Sequence, residues 1–245
     1  MNLKVKGLVI KETGVGENDK VLTILAENLG KIQAWAKGSK KLKSPLTASS
    51  QCFTYAIFEL FKNKDTYTIN QAEIIESNFN IRNDLESLAL ASYIAELANK
   101  FTYENSADDE ILKLTLNTLY LISKNTKPKK LIKTVYELRL MELSGFMPEI
   151  YNCVICGGEL TGKIYFDSHA GGVVCKRCSA NGDAIEISPS VLAALRFILT
   201  CEDKKIFSFN ISDRSLNCLS KISESFVLAQ ADYSFKTLEF YKSLI

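Results

Sequence analysis

The sequence predicts an α+β multidomain chain, in which an N-terminal five-stranded OB-type β-barrel leads into an α-helical domain interrupted by a module built on four cysteines. Three observations predict it. Short β-branched and aromatic runs separated by turn residues fill residues 1–77, the apolar period becomes helical after Asn83, and two Cys-x-x-Cys pairs break the helical part. The expected divisions are residues 1–80 for the barrel, 81–150 for the first helical part, 151–187 for the cysteine module and 188–245 for the second helical part.

The first strand lies in Leu3–Glu12, which opens with strict alternation, and the second in the β-branched run Val21–Leu25. Asn28-Leu-Gly-Lys31 turns the chain into a third strand, Ile32–Ala36. Phe53–Phe61 and Tyr67–Ile75, separated by the polar turn Lys62–Asp65, form a hairpin. Five short strands in so little chain suit a closed barrel, which leaves no exposed sheet edge.

From Leu85 the pattern Leu85, Leu88, Ala89, Ala91, Ser92, Ala95, Leu97 and Ala98 reads as one long helix. Ser106–Asp109 has the spacing of a capping box before a second helix, Ile111–Ile122. A third starts after Pro128 on the stripe Leu131, Val135, Leu138 and Met141, and stops near Gly145. Gly157, Gly158, Gly162, Gly171, Gly172 and Gly182 mark the cysteine segment as one of tight turns. Ser188-Pro189 is an N-cap followed by proline at the first helical position, leading into Val191–Leu199; Leu216–Ala229 and Phe235–Leu244 complete the helices.

With 47% hydrophobic and 24% charged residues, the composition is that of an ordinary soluble chain able to bury a core. No apolar run approaches the roughly twenty residues of a membrane span, and no charged-then-apolar leader opens the chain, so the expected location is cytoplasmic. The net charge of +2 decides little, but residues 1–80 hold eleven Lys and no Arg against eight acids, which makes the N-terminal end the positive one.

Cys153-Val-Ile-Cys156 and Cys175-Lys-Arg-Cys178 are the strongest chemical signal. Two residues inside each pair is the spacing of a knuckle turn, and two knuckles close a tetrahedron of thiolates around a metal. Zinc suits four thiolates without redox chemistry, and four protein ligands leave no open position, so one structural Zn2+ per chain is expected. Two disulfides, or four reduced thiols in a loop, are the competing assignments; an odd total of seven cysteines and a reducing compartment, where paired thiols persist as metal ligands, disfavour them. Cys52, Cys201 and Cys218 are expected as small core residues.

Lys31, Lys37, Lys40, Lys41 and Lys43 lie in a stretch without a carboxylate, around the single tryptophan, Trp35. Ammonium groups displace the counterions condensed on phosphate, and an aromatic face can stack on an unpaired base. If all five touched phosphates, log K would fall against log salt with a slope of about −3.5. A solvated loop and a core indole are the bland reading of the same residues. Lys124, Lys127, Lys129, Lys130 and Lys133 form a second basic cluster, read as the solvated start of a helix.

His169 is the single histidine and falls between the knuckles, where it is expected as a turn residue. A Cys-His or Ser-His pair would have to take it from there, and no Walker A, GxSxG, HExxH or Rossmann glycine pattern is present. The expectation is therefore a protein without enzymatic turnover. A protein-protein adaptor that uses the barrel as scaffold, and an RNA-binding factor with OB barrel and structural zinc, are the alternatives.

Three segments together resemble a known family. These are Gly7-Leu-Val-Ile-Lys-Glu-Thr-Gly-Val-Gly-Glu-Asn-Asp-Lys-Val-Leu-Thr-Ile-Leu25, Ala36-Lys-Gly-Ser-Lys-Lys-Leu-Lys-Ser-Pro45, and Leu143-Ser-Gly-Phe-Met-Pro148 leading into Cys153. In this order they resemble the bacterial DNA repair and recombination mediators of the RecO family. The resemblance implies binding of single- and double-stranded DNA, annealing of complementary strands, and assistance to RecA loading with RecR on DNA coated by single-stranded DNA-binding protein. It implies Cys153, Cys156, Cys175 and Cys178 as metal ligands, and places the family's basic loop on Lys37, Lys40, Lys41 and Lys43.

Overall fold

The computed structural model describes every residue except 65, 105, 108 and 180–183. Five strands, β1 (Asn2–Val15), β2 (Asp19–Ala26), β3 (Gly30–Ala36), β4 (Tyr55–Asn63) and β5 (Thr66–Glu76), close a barrel in the order β1-β2-β3-β5-β4. The long β1 serves both neighbours, pairing residues 2–8 with β4 and 7–15 with β2. A register shift between Val9 and Lys11 bends it from one pairing into the other. β3 and β5 pair in parallel only at Ala34 and Trp35, which closes the barrel but leaves residues 30–33 of β3 without a β5 partner.

Alternation fills the barrel with Val5, Val9, Leu22, Ile24, Ile32, Ala34, Ala36, Phe58, Leu60 and Ile69, all buried. Leu46, from the turn-rich segment between β3 and β4, joins the same core.

The helices are α1 (Leu85–Phe101), α2 (Asp109–Lys124), α3 (Lys129–Leu143), α4 (Pro189–Thr200), α5 (Asp213–Ala231) and α6 (Lys236–Lys242). Asp84 caps α1 by accepting from Ser87 N at 3.1 Å, and Ser188 caps α4 with Pro189 in its first turn. The box foreseen at Ser106–Asp109 falls partly outside the described residues. Asp109 itself is helical, and its carboxylate accepts from Asn28 N at 2.9 Å, which ties α2 to the β2–β3 turn.

The chain divides into two compact units, residues 1–126 with 235–245, and residues 127–234. In the first, α1 packs against β1, α2 and α6, and Tyr93 meets Phe235 edge-on at 5.8 Å. Packing therefore separates α2 from α3 and returns the last helix to the barrel's unit, whereas the motifs suggested a helical body cut only by the cysteine module.

In the second unit α3 packs against α4 and α5 and is buried without a break from Leu131 to Leu138. Here the reading of the second basic cluster as solvated is corrected at Lys133, while Lys124 and Lys130 are exposed as expected. Lys133 is only 3% exposed, and its ammonium bridges Glu137 and Glu224 at 2.9 Å each, while Ser223 donates to the second oxygen of Glu137 at 2.6 Å. Charge counting along the chain assigns a lysine to solvent by default; a buried carboxylate on α3, Glu137, and a half-buried one on α5, Glu224, are what draw this one inward.

A three-stranded sheet absent from the sequence expectations, β6 (Ile164–Asp167), β7 (Gly172–Cys175) and β8 (Ile185–Ile187), runs through the cysteine module in the order β7-β6-β8. Ile164-Tyr-Phe and Gly172-Val-Val carried its β signal, but glycines on both sides read as turns. The module is anchored by Phe166 against Phe226 of α5 at 5.8 Å, and by the Arg196 guanidinium of α4, which donates to Ile150 O at 2.9 and 3.1 Å. Gly182 lies outside the described residues.

Candidate nucleic-acid interface and candidate metal centre

Along β3, Ile32, Ala34 and Ala36 point into the barrel, so Lys31, Gln33 and Trp35 point out. The indole is thus an outer-face group, half-buried, with Val21 of β2 and Thr68 of β5 as its register neighbours. That answers the question left open for Trp35, since an indole opposite the core side cannot be barrel filling.

Beyond Trp35 the chain enters the basic loop, which is held by specific bonds. Asp19 accepts from Gly38 N at 2.7 Å, Lys40 N donates to Asn18 O at 3.0 Å, and Thr47 Oγ1 donates to the carbonyls of Ser39 and Lys41 at 3.1 Å each. The loop is thereby fastened to the β1–β2 turn. Lys37, Lys41 and Lys43 are exposed, with no ion-pair or hydrogen-bond partner for their ammonium groups among the described residues. Lys40 is exposed too, but its Nζ donates to Gly16 O at 2.9 Å.

Lys31 stands apart from that group. Its Nζ donates to Asn99 O at 2.7 Å at the end of α1, and burial holds it below the ordinary lysine value against the pull of Glu104. The structure therefore leaves Lys37, Lys41 and Lys43 exposed in the loop that follows Trp35, tethers Lys40 to the β1–β2 turn, and gives Lys31 a structural bond. Acids are present as well: Glu17 is exposed in the β1–β2 turn, and Glu12 is paired with Lys20 at 2.9 Å. In OB barrels the strand 2–3 face and the neighbouring loops are the usual oligonucleotide site.

In the second unit the four sulfurs of Cys153, Cys156, Cys175 and Cys178 lie within 4.8 Å of one another, with Cys156 and Cys175 at 4.0 Å. A tetrahedron with metal–sulfur bonds of about 2.3 Å has edges of about 3.8 Å, so the set fits one thiolate-bound ion. No disulfide joins these cysteines. Each knuckle is shaped by its backbone: Cys153 N donates to Gly158 O, Gly157 N returns to Cys153 O, and Cys178 N donates to Cys175 O. Gly157 makes the first turn with φ of +69°, a conformation that side chains disfavour.

Burial opposes ionisation of Cys153, but backbone N–H groups of Cys175, Cys156 and Ile155 outweigh it and bring the thiol down to about 6. Cys156 is lowered chiefly by the Gly158 N–H, with the Arg177 guanidinium helping. Cys178 is pushed up to about 12 by burial and by the surrounding thiols. Amides and an arginine thus favour the first negative charges, and mutual repulsion opposes the rest, which is the imbalance a bound cation removes. His169 is exposed in the β6–β7 turn, its N–H donating to Asp167 Oδ1 at 2.9 Å, and takes no part in the set.

Cys52, Cys201 and Cys218 are half-buried, where core positions were expected: Cys52 lies in the turn before β4, Cys201 at the C-terminal end of α4, and Cys218 within α5 on a partly exposed side. Burial, aided by Glu12, pushes the Cys52 thiol up to about 11, which keeps it protonated. No described helix is long and apolar enough to cross a membrane.

Comparison with known proteins places these two sites in context. The family model described as Recombination protein O N terminal matches residues 1–78, and that described as Recombination protein O C terminal matches residues 82–239. A DNA repair protein RecO of Acetivibrio thermocellus is 37% identical over 243 residues, covering 99% of this chain and 97% of the relative. Proteins of the same name from Caldicellulosiruptor saccharolyticus (98% of each chain) and Alkaliphilus metalliredigens (100% of each) are 33% and 32% identical. Barrel, helical body and cysteine module are thus matched in sequence as a whole, and the chain belongs to the RecO family of DNA repair proteins.

Proposed function

We propose that the chain is a cytoplasmic, non-catalytic recombination mediator that holds single-stranded DNA on the β2–β3 face of its barrel. The observation that carries this is the outward Trp35 leading into a loop on which Lys37, Lys41 and Lys43 are exposed. An aromatic face binds any base by stacking, and ammonium groups bind any phosphate, so contact is independent of sequence. Double-stranded DNA offers the same phosphates, and a strand held without base-edge contacts keeps those edges available for annealing. The partners proposed with this role are RecR, single-stranded DNA-binding protein on the coated strand, and RecA indirectly, as the recombinase that is loaded; membership of a DNA repair family supports them.

The cysteine set is assigned to one structural Zn2+, which when bound supplies a fixed point joining the two knuckles. Around it Cys153, Cys156, Cys175 and Cys178 provide the thiolates and Arg177 offsets their charge.

Trp35 is the only tryptophan, so its fluorescence reports the site directly. Quenching by a single-stranded oligonucleotide at low salt, together with accelerated annealing of complementary strands, is the expected result. An oligonucleotide that neither binds nor quenches refutes the reading in favour of a protein-protein adaptor. Preference for RNA of equal length would instead favour the RNA-binding alternative.

A further inference from the structure

The outer face that carries Trp35 is polarised from end to end. At one end lie Lys37, Lys41 and Lys43; at the other, around Gly30, lie three carboxylates and the cation of Lys31, whose ammonium is bonded to Asn99 O and attracted by Glu104. Glu27 accepts from Tyr55 OH at 2.8 Å, Asp109 accepts from Asn28 N at 2.9 Å, and Glu104 is exposed. The first two are held by their partners, so Glu104 is the one whose position has to be explained.

Glu104 reaches this face because the chain after α1 lies along the stretch of β3 that β5 leaves unpaired. Lys31 N donates to Tyr103 O at 3.4 Å, and Gly30 and Lys31 both bridge to Glu104. Glycine at 30 permits the approach: its φ is +67°, and a Cβ there would meet Ser106 O at 1.8 Å. On the outer side Gln33 Nε2 donates to Glu104 Oε1 at 3.4 Å. Gln33 and Trp35 are alternate residues of one strand, about 7 Å apart. A carboxylate therefore touches the outward side chain next to the indole.

We infer that Glu104 is an anionic stop that ends the single-strand track at Gln33, so that DNA held by Trp35 and the basic loop leaves the barrel there instead of running on toward Gly30. The inference rests on the β2–β3 face being the DNA site. Two unit charges about 7 Å apart in water repel by enough to weaken binding about threefold; this is the upper bound, since Lys31 offsets part of the Glu104 charge, and salt at physiological strength, with a screening length of about 8 Å, reduces it further. The stop therefore acts most strongly in dilute buffer, where electrostatic binding is otherwise tightest.

Glu104→Gln keeps a group able to bond Gln33 and removes the charge; Glu104→Lys reverses it. Both are compared with wild type and with Glu73→Gln, an exposed carboxylate on the β4-paired part of β5, using oligothymidylates of increasing length and Trp35 quenching. Expected are affinity higher by up to about threefold for Glu104→Gln at low salt, a larger gain for Glu104→Lys, a longer occluded length for both, and no gain for Glu73→Gln. The advantage should shrink as salt rises, which a purely structural role for Glu104 would not produce. If wild type binds but the Glu104 variants match it in affinity and occluded length, the stop is refuted and the DNA-binding face stands. If no protein in the set binds, both fall.

Discussion

Replacing Lys37, Lys41 and Lys43 together by alanine tests the proposed electrostatics most directly. Counting charges along the sequence put five lysines on phosphate, but Lys31 is bonded to Asn99 O and Lys40 to Gly16 O, leaving three whose ammonium groups have no partner among the described residues. Three contacts to a single strand correspond to a slope of log K against log salt of about −2.1, where five would correspond to about −3.5. Over a fourfold rise in salt, from about 50 to about 200 mM, the three-contact slope means a loss of affinity of about 18-fold, most of which should vanish in the triple variant. The assay is fluorescence titration of Trp35 with a short oligothymidylate at four or five salt concentrations. All three positions are exposed, so the variant should melt as wild type does. A folded triple variant that keeps a slope near −2 would show that the phosphates are neutralised elsewhere. A wild-type slope near −3.5 would show that Lys31 and Lys40 leave their carbonyl partners when DNA binds.

Further outcomes follow from the same structure. Lys31→Ala should cost melting stability of about 1 kcal/mol and leave the salt slope unchanged, because the lysine's bond is internal. Lys133→Met leaves Glu137 buried beside Glu224 without its cation, and denaturant unfolding should show a loss of about 3–5 kcal/mol. Although burial lowers Lys133, Glu137 and Glu224 hold it above the ordinary value of 10.5, so its contribution is complete below that value and is lost as pH rises through the folded one. Wild-type stability should therefore fall on the alkaline side more steeply than that of the Met variant. One zinc per chain by elemental analysis, with four thiols that become titratable only after chelation, is expected for the cysteine set; four reactive thiols in metal-free native protein would refute it.

Sequence alone determined the elements that depend on local chemistry. The barrel strands follow from alternation, the helices from their period and caps, and the four cysteines from spacing, because a knuckle is a property of four consecutive residues. The short sheet β6–β7–β8 escaped notice because its strands are three or four residues long and flanked by turns, too short for a period to register. Only tertiary structure decided which charges are available. Lys31, Lys40 and Lys43 look alike in the chain, yet one is bonded to a helix end, one to a turn carbonyl and one to nothing described. Lys133 is turned inward by Glu224, ninety-one residues away, and Glu104 reaches Gln33 across seventy-one. The physical reason is that hydrogen bonding and backbone preference act between neighbours in sequence, whereas the desolvation and pairing of a charge depend on whatever the fold sets beside it.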